Sequence, residues 1–319
     1  MKARPLKNDD LQGNSKRLPE PYAAIRRQRS AAVDAADRVF QRSMKVLKFG
    51  GTSVGSPERI KEIESIITPR LKNGEQIAIV VSAFGGTTDQ LLDAARLAKA
   101  KNNDYTKTFK AIEERHLKAV KDLIKNPKTV QAEVQKTLNE LAQLLQGIKL
   151  LGELSNRTLD LVASFGERLS AYIVSQYLNQ KIPTEYLDAR TLIVTDDHFT
   201  YAKVDFKKTD ANIHDYFKKH PKLQIITGFI GATPENETTT LGRGGSDYSA
   251  SIFGAALNAE EIEIWTDVNG IMSADPRKAK KAFTLDAITY KEAMEMSHFG
   301  AKVIHPPTMR PAMQKNIPI

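Results

Sequence analysis

The chain has 319 residues, 41% of them apolar, which is enough for one large α/β domain or two modest ones and excludes disorder for most of its length. It has no cysteine, so disulfides, thiol nucleophiles and cysteine zinc sites are excluded, and a reducing, cytoplasmic setting is the expectation. No apolar run approaches the ~18 residues that cross a bilayer, and of the net charge of +9 the first 43 residues hold +5, so neither a membrane nor a nucleic acid is an expected partner.

Residues 1–43 are polar, with Pro5, Pro19 and Pro21, and no apolar stretch of signal-peptide length follows their basic residues. They read as a flexible basic extension in which Val33, Ala36 and Phe40 share one possible helical face. The texture changes at Met44. VLKF is a strand. Ser56-Pro57-Glu58 starts a helix, with serine as N-cap and proline at the first helical position, and Ile60, Ile63, Ile67 and Leu71 mark its buried face. IAIVVSA, 77–83, is apolar on both faces, as in a parallel strand covered by helices. Helices follow at 88–100, 105–125, 129–147 and 156–179, strands at 184–188, 223–229 and 261–266, and a polar hairpin near 230–241. This alternation predicts a layered α/β domain.

Four stretches carry residues suited to chemistry. In KFGGTSVG, Lys48 ends a strand and Gly50, Gly51, Thr52, Ser53 and Gly55 lead to a capped helix. Glycine lets backbone amides approach a phosphate and the helix N-terminus adds donors, although a tight turn with a surface lysine also satisfies the pattern. SAFGGTTDQLL, 82–92, repeats the arrangement, with Thr87 as a helix cap, Thr88 and Asp89 beside it, or a second set of donors at the carboxyl ends of the strands. In LGRGGSDYSA, Arg243 is fenced by Gly242, Gly244 and Gly245 before Ser246 and Asp247 open an Ala-rich helix. Arginine in such a loop suits bidentate carboxylate or phosphate recognition, and Asp247 suits an ammonium. In IWTDVNGIMSADPR the Asn269-Gly270 and Asp275-Pro276 turns are commonplace by themselves. His298 and His305 have no metal-site spacing, so no protein metal site is expected. Glu167, in the apolar stretch LVASFGERLSAYIV, is either paired with Arg168 or a neighbouring helix, or faces a ligand.

Together KFGGTSVG (48–55 from Lys48), VVSAFGGTTDQLL, SFGERLSA, LGRGGSDYSA, WTDVNGI, DPR and FGAKVIHP resemble the aspartate kinases of the amino acid kinase family, in the family's order, from Met44 to Ile319. GIKLLGELSNRTLD, 147–160, is more similar to the kinase portion of bifunctional aspartokinase/homoserine dehydrogenases than to the stand-alone enzymes. The resemblance implies a three-layer α/β/α sandwich on a mainly parallel sheet, with residues 44–220 mainly binding the amino acid and 221–319 mainly the nucleotide. It implies transfer of a phosphoryl group from MgATP to the β-carboxylate of L-aspartate, the first step towards lysine, threonine and methionine, by a homo-oligomer. Lys48 would contact the transferred phosphoryl group and Gly50, Gly51 and Ser53 would line the phosphates. Arg243 would hold a substrate carboxylate, Glu167 and Asp247 the ammonium, with Thr88 and Ser246 completing the pocket. Thr266, Asp267, Arg277 and Lys302 would face the nucleotide.

Two departures qualify the likeness. Met272 stands near the point where the family often has a tyrosine, so no aromatic contact with adenine is implied. Family members continue past a strand like the one that KNIPI would enter into small regulatory ACT domains, so a catalytic stretch without them is the expectation. A sibling kinase acting on glutamate or another acidic amino acid, and a weakly active nucleotide-binding module, are the alternatives.

Overall fold

Strand β1 (Met44–Phe49) sets the plan of the molecule. Its residues alternate, Leu47 and Phe49 turning to one side and Val46 and Lys48 to the other, and all four are buried. The computed structural model describes residues 44–267, 270–274, 279–298 and 306–319. In it β1 pairs in parallel with β2 (Gln76–Val81) and with β7 (Glu261–Trp265). The sheet continues through β4 (Leu223–Thr227) to β3 (Thr184–Leu187), giving the order β3-β4-β2-β1-β7, all parallel.

One face of this sheet offers Leu47, Phe49, Ile79, Val81 and Ile225 to a single core shared with five helices. These are α1 (Pro57–Lys72), α2 (Thr87–Lys99), α3 (Tyr105–Leu123), α4 (Lys128–Leu151) and α5 (Asn156–Leu178). Helix α1 contributes Ile60, Ile63 and Ile67, each wholly buried and each stabilising by about 1.5–3 kcal/mol. The opposite face carries Val46, Val80, Ile226 and Ile262 and is covered by α6 (Phe206–Lys219) and α7 (Gly245–Ala256). There Ile262 lies directly on Gly254, and the rings of Phe217 and Phe253 are 6.2 Å apart. The result is the expected three-layer α/β/α sandwich, and residues 43–319 form one compact unit.

Element boundaries follow the sequence closely, with instructive exceptions. Ser56 caps α1 as expected, accepting from the Arg59 amide at 3.4 Å. Thr87 does not cap α2: the N-cap is Gly86 at φ 79°, and the Thr87 hydroxyl is buried without a partner among the described residues. Likewise neither Ser246 nor Asp247 caps α7, whose N-cap is Gly244 at φ 72°. The hairpin is present as β5 (Ile230–Ala232) and β6 (Thr238–Thr240), but its threonines are buried rather than solvated. Helix α6 is an element that no sequence expectation covers. Two further short helices, α8 (Tyr290–His298) and α9 (Arg310–Gln314), follow β7.

Candidate active site

The carboxyl ends of β1, β2 and β4 meet at a cavity of about 380 Å³. Lys48, Gly51, Thr88, Glu167, Arg243, Ser246 and Asp247 all line it, so all six residues expected to touch the amino acid or the phosphoryl group, and one of the phosphate glycines, converge from four stretches of the chain. Parallel sheets bind ligands at this edge because loops and helix N-termini collect there.

Lys48 reaches the cavity because its position in β1 points it at the α7 side, where its Nζ lies 2.6 Å from Asp247 Oδ1. Asp247 stands in the first turn of α7, so the pair joins the central strand to a helix N-terminus. Arg243, two residues before that helix, is exposed and makes no ion pair or hydrogen bond among the described residues, leaving its five donors available. The N-terminus of α2 also faces the cavity, through Thr88 and Asp89. Two helix N-termini, an ammonium and a guanidinium around one cavity favour anions.

Glu167 is the opposite element. It is 3% exposed; one carboxyl oxygen accepts from the Ala83 amide at 3.2 Å and the other has no partner among the described residues. Burial pushes its carboxyl up to about 8, against the pull of the Ala83 amide and the Lys48 charge. Arg168 does not neutralise it, because that guanidinium pairs with Glu140 at 3.0 Å. Gly166 makes the arrangement possible: a Cβ there would lie 2.7 Å from that of Ala83, so only glycine lets α5 approach the end of β2 closely enough for Glu167 to reach it. A buried carboxyl with an idle oxygen at a cavity wall is suited to a ligand ammonium.

The glycine turn after β1 divides its donors. Gly50 donates its amide to the Trp265 carbonyl at 3.1 Å and Ser53 donates its own to the Gly50 carbonyl at 2.9 Å, so both are spent on the turn. The amides of Gly51 and Thr52 make no backbone hydrogen bond among the described residues. Ser53, Thr266 and Asp267 do gather, but around a separate cavity of about 230 Å³ beside the stacked rings of Phe49 and Trp265. The turn thus gives Gly51 to the first cavity and Thr52 and Ser53 to the second. Arg277 and Lys302 lie outside the described residues.

Arg115 carries no local signal in the sequence, yet it fastens the site. From α3 its guanidinium donates to the Gly85 carbonyl at 2.7 Å and to the Gly55 carbonyl at 2.9 Å, bridging the two glycine turns. It also lies over the Phe84 ring, which stacks in turn on His116. His116 is wholly buried, and desolvation lowers it to about 4, so it serves as a neutral packing residue. Ser170 adds a further tie, donating to the Ser82 carbonyl at 2.7 Å.

The amino acid kinase family model matches residues 43–319. A chloroplastic bifunctional aspartokinase/homoserine dehydrogenase 2 of Arabidopsis thaliana is 38% identical over 279 residues, which are 86% of this chain and 30% of that protein. The chloroplastic aspartokinase 1 of the same plant is 38% identical over 86% of this chain and 49% of its own length. The chain therefore spans about a third to a half of these curated relatives. Among solved structures, E. coli aspartokinase III in complex with aspartate and ADP matches with a TM-score of 0.79 at 32% identity, covering 86% of this chain and 60% of that one. With the sandwich, the converging glycine loops and a family match that runs from the first strand to the last helix, the chain belongs to the amino acid kinase family.

Proposed function

We propose that the chain phosphorylates the β-carboxylate of L-aspartate with MgATP, giving 4-phospho-L-aspartate and ADP, as the kinase part of an aspartokinase. The observation that carries this reading is the presence, in one cavity, of Arg243 and a buried Glu167, the first without a partner and the second without a second one among the described residues. A guanidinium for a carboxylate and a carboxylate for an ammonium read a free amino acid. The names of the relatives and the aspartate and ADP in the E. coli complex support the same choice.

The chemistry asks little beyond placement. A side-chain carboxylate with an ordinary pKa of about 4 is already a nucleophile at neutral pH, so no general base is needed. Arg243 holds the α-carboxylate, and Glu167, once ionised, the ammonium, with Thr88 and Ser246 closing the pocket. Lys48 then lies beside the phosphoryl group, and the free amides of Gly51 and the α7 N-terminus share its charge. Asp247 holds the Lys48 ammonium in place in the resting state. The nucleotide approaches past the β1–α1 turn, with Thr266 and Asp267 on its far side. Magnesium, brought with the nucleotide, would supply positive charge at its phosphates. Lys48, Thr88 and Glu167 come from residues 44–220, and Arg243, Ser246 and Asp247 from 221–319, so both proposed lobes build the one pocket.

The test is a panel of free and N-acylated amino acids with MgATP, read as ADP release and as acyl phosphate trapped by hydroxylamine. Aspartate is expected to give the highest kcat/KM. Preference for glutamate would move the assignment to a sibling kinase, and no trapped acyl phosphate at high protein concentration would remove it.

A further inference from the structure

Asp160, in the second turn of α5, is 2% exposed and makes no ion pair among the described residues. A buried carboxylate without a cation is costly unless its oxygens are hydrogen-bonded, and here they are. It accepts from the Thr200 amide at 2.8 Å, the Thr240 amide at 2.9 Å and the Thr240 hydroxyl at 2.8 Å.

Both partners adjoin the Arg243 loop. Thr240 ends β6 and leads directly into Leu241, Gly242 and Arg243. Thr200 holds φ at 76°, a left-handed conformation that strains a β-branched residue and persists only where its surroundings impose it. It precedes Tyr201, whose ring lies so close over Gly242, itself at φ 75°, that a Cβ there would be 2.3 Å from the ring. The Ala202 amide closes the arrangement by donating to the Thr240 carbonyl at 3.0 Å. Asp160, Thr200, Thr240, Gly242 and Arg243 also line one cavity of about 350 Å³ together.

Seven residues along α5 from Asp160 is Glu167, on the same face after two turns. We infer that Asp160 is a positioning residue: it ties the Arg243 loop to α5 and so fixes the distance between the group that reads the substrate carboxylate and the group that reads its ammonium. The inference rests on the kinase reading above for its effect on substrate, and on the hydrogen bonds alone for the tie itself.

Asp160→Ala removes both carboxyl oxygens and with them all three hydrogen bonds, leaving the Thr200 and Thr240 amides without their acceptor. In this variant the KM for aspartate is expected to rise about tenfold or more, while the KM for ATP stays within about twofold and kcat changes less than the aspartate KM. Hydrogen exchange is expected to quicken in 198–203 and 238–246 and to stay unchanged in β1. Thr240→Val, which removes only the hydroxyl bond, is expected to shift the aspartate KM in the same direction by less, and serves if the alanine variant does not fold. Unchanged exchange in both segments overturns the tie. Quickened exchange with aspartate and ATP KM values moving together overturns the positioning role. A wild-type chain that phosphorylates no acidic amino acid sinks the kinase reading together with the substrate half of the inference, while the exchange comparison separately decides the tie.

Discussion

Lys48 and Glu167 occupy neighbouring parts of one cavity and answer to opposite rules. Lys48 is buried and paired with Asp247, which holds its side chain at the cavity wall. Lys48→Ala is expected to lower kcat by about 10²-fold or more, because a preorganised cation in a partly dry site contributes several kcal/mol where transition-state charge develops; steady-state kinetics with both substrates saturating checks this, and an unchanged kcat removes the role. Glu167 is destabilised by its burial, and its pKa of about 8 has two consequences of known sign. Aspartate binding needs the carboxylate, so the aspartate KM is expected to fall as pH rises from 6.5 towards 8, with a proton released on binding, measurable by calorimetry in buffers of different ionisation enthalpy. Stability moves the other way. The unfolded group ionises near 4.5 while the folded one holds its proton to about 8, so the folded state loses stability between those values. Glu167→Gln is therefore expected to raise the melting temperature above neutral pH by a few degrees while abolishing aspartate binding.

At the scale of elements, the strands and the glycine turns were legible because their signals are local: apolar runs of period two, Ser56-Pro57 before α1, glycines before Thr88 and before Asp247. Helix α6 was not, since its buried face is only Thr209, Ile213 and Phe217 amid lysines and aspartates. Thr87 and Ser246 leave the N-cap place to a left-handed glycine just before each helix, although their residue types favour a hydroxyl cap. Arg115 and Asp160 were invisible for another reason. Their partners are backbone groups 30, 60 and 80 residues away, which no spacing marks. Arg115 ties α3 to both glycine turns, so Arg115→Ala is expected to lower the unfolding free energy by roughly 2 kcal/mol or more in urea titrations and to reduce kcat. Arg115→Lys should restore little, because a single ammonium does not present the fork that two carbonyls require.

For the whole molecule, the site lies where one continuous sheet gathers its strand ends, so ligands bridge segments that are remote in sequence. Aspartate together with ADP, each at about a hundred times its dissociation constant, is expected to raise the melting temperature by several degrees more than either alone, since each adds up to about 2.7 kcal/mol by mass action. Differential scanning fluorimetry measures it, and a shift from ADP alone that aspartate does not enlarge would contradict a shared pocket. The basic excess of the chain sits mainly in residues 1–43, and the remaining +4 is spread over a body whose cavity cations, Lys48 and Arg243, are aimed at small anions.

The alternation along β1 carries one last consequence. Leu47 and Phe49 belong to the large core on one side, while Lys48 between them serves the cavity on the other. Loss or gain of a single residue inside this strand would exchange the two faces, sending an ammonium into the apolar core under α1 and a phenylalanine into the cavity. The strand therefore tolerates changes of residue size far better than changes of length, and a library of β1 variants should return conservative apolar replacements at 47 and 49 but no active member with an insertion or deletion between Met44 and Gly50.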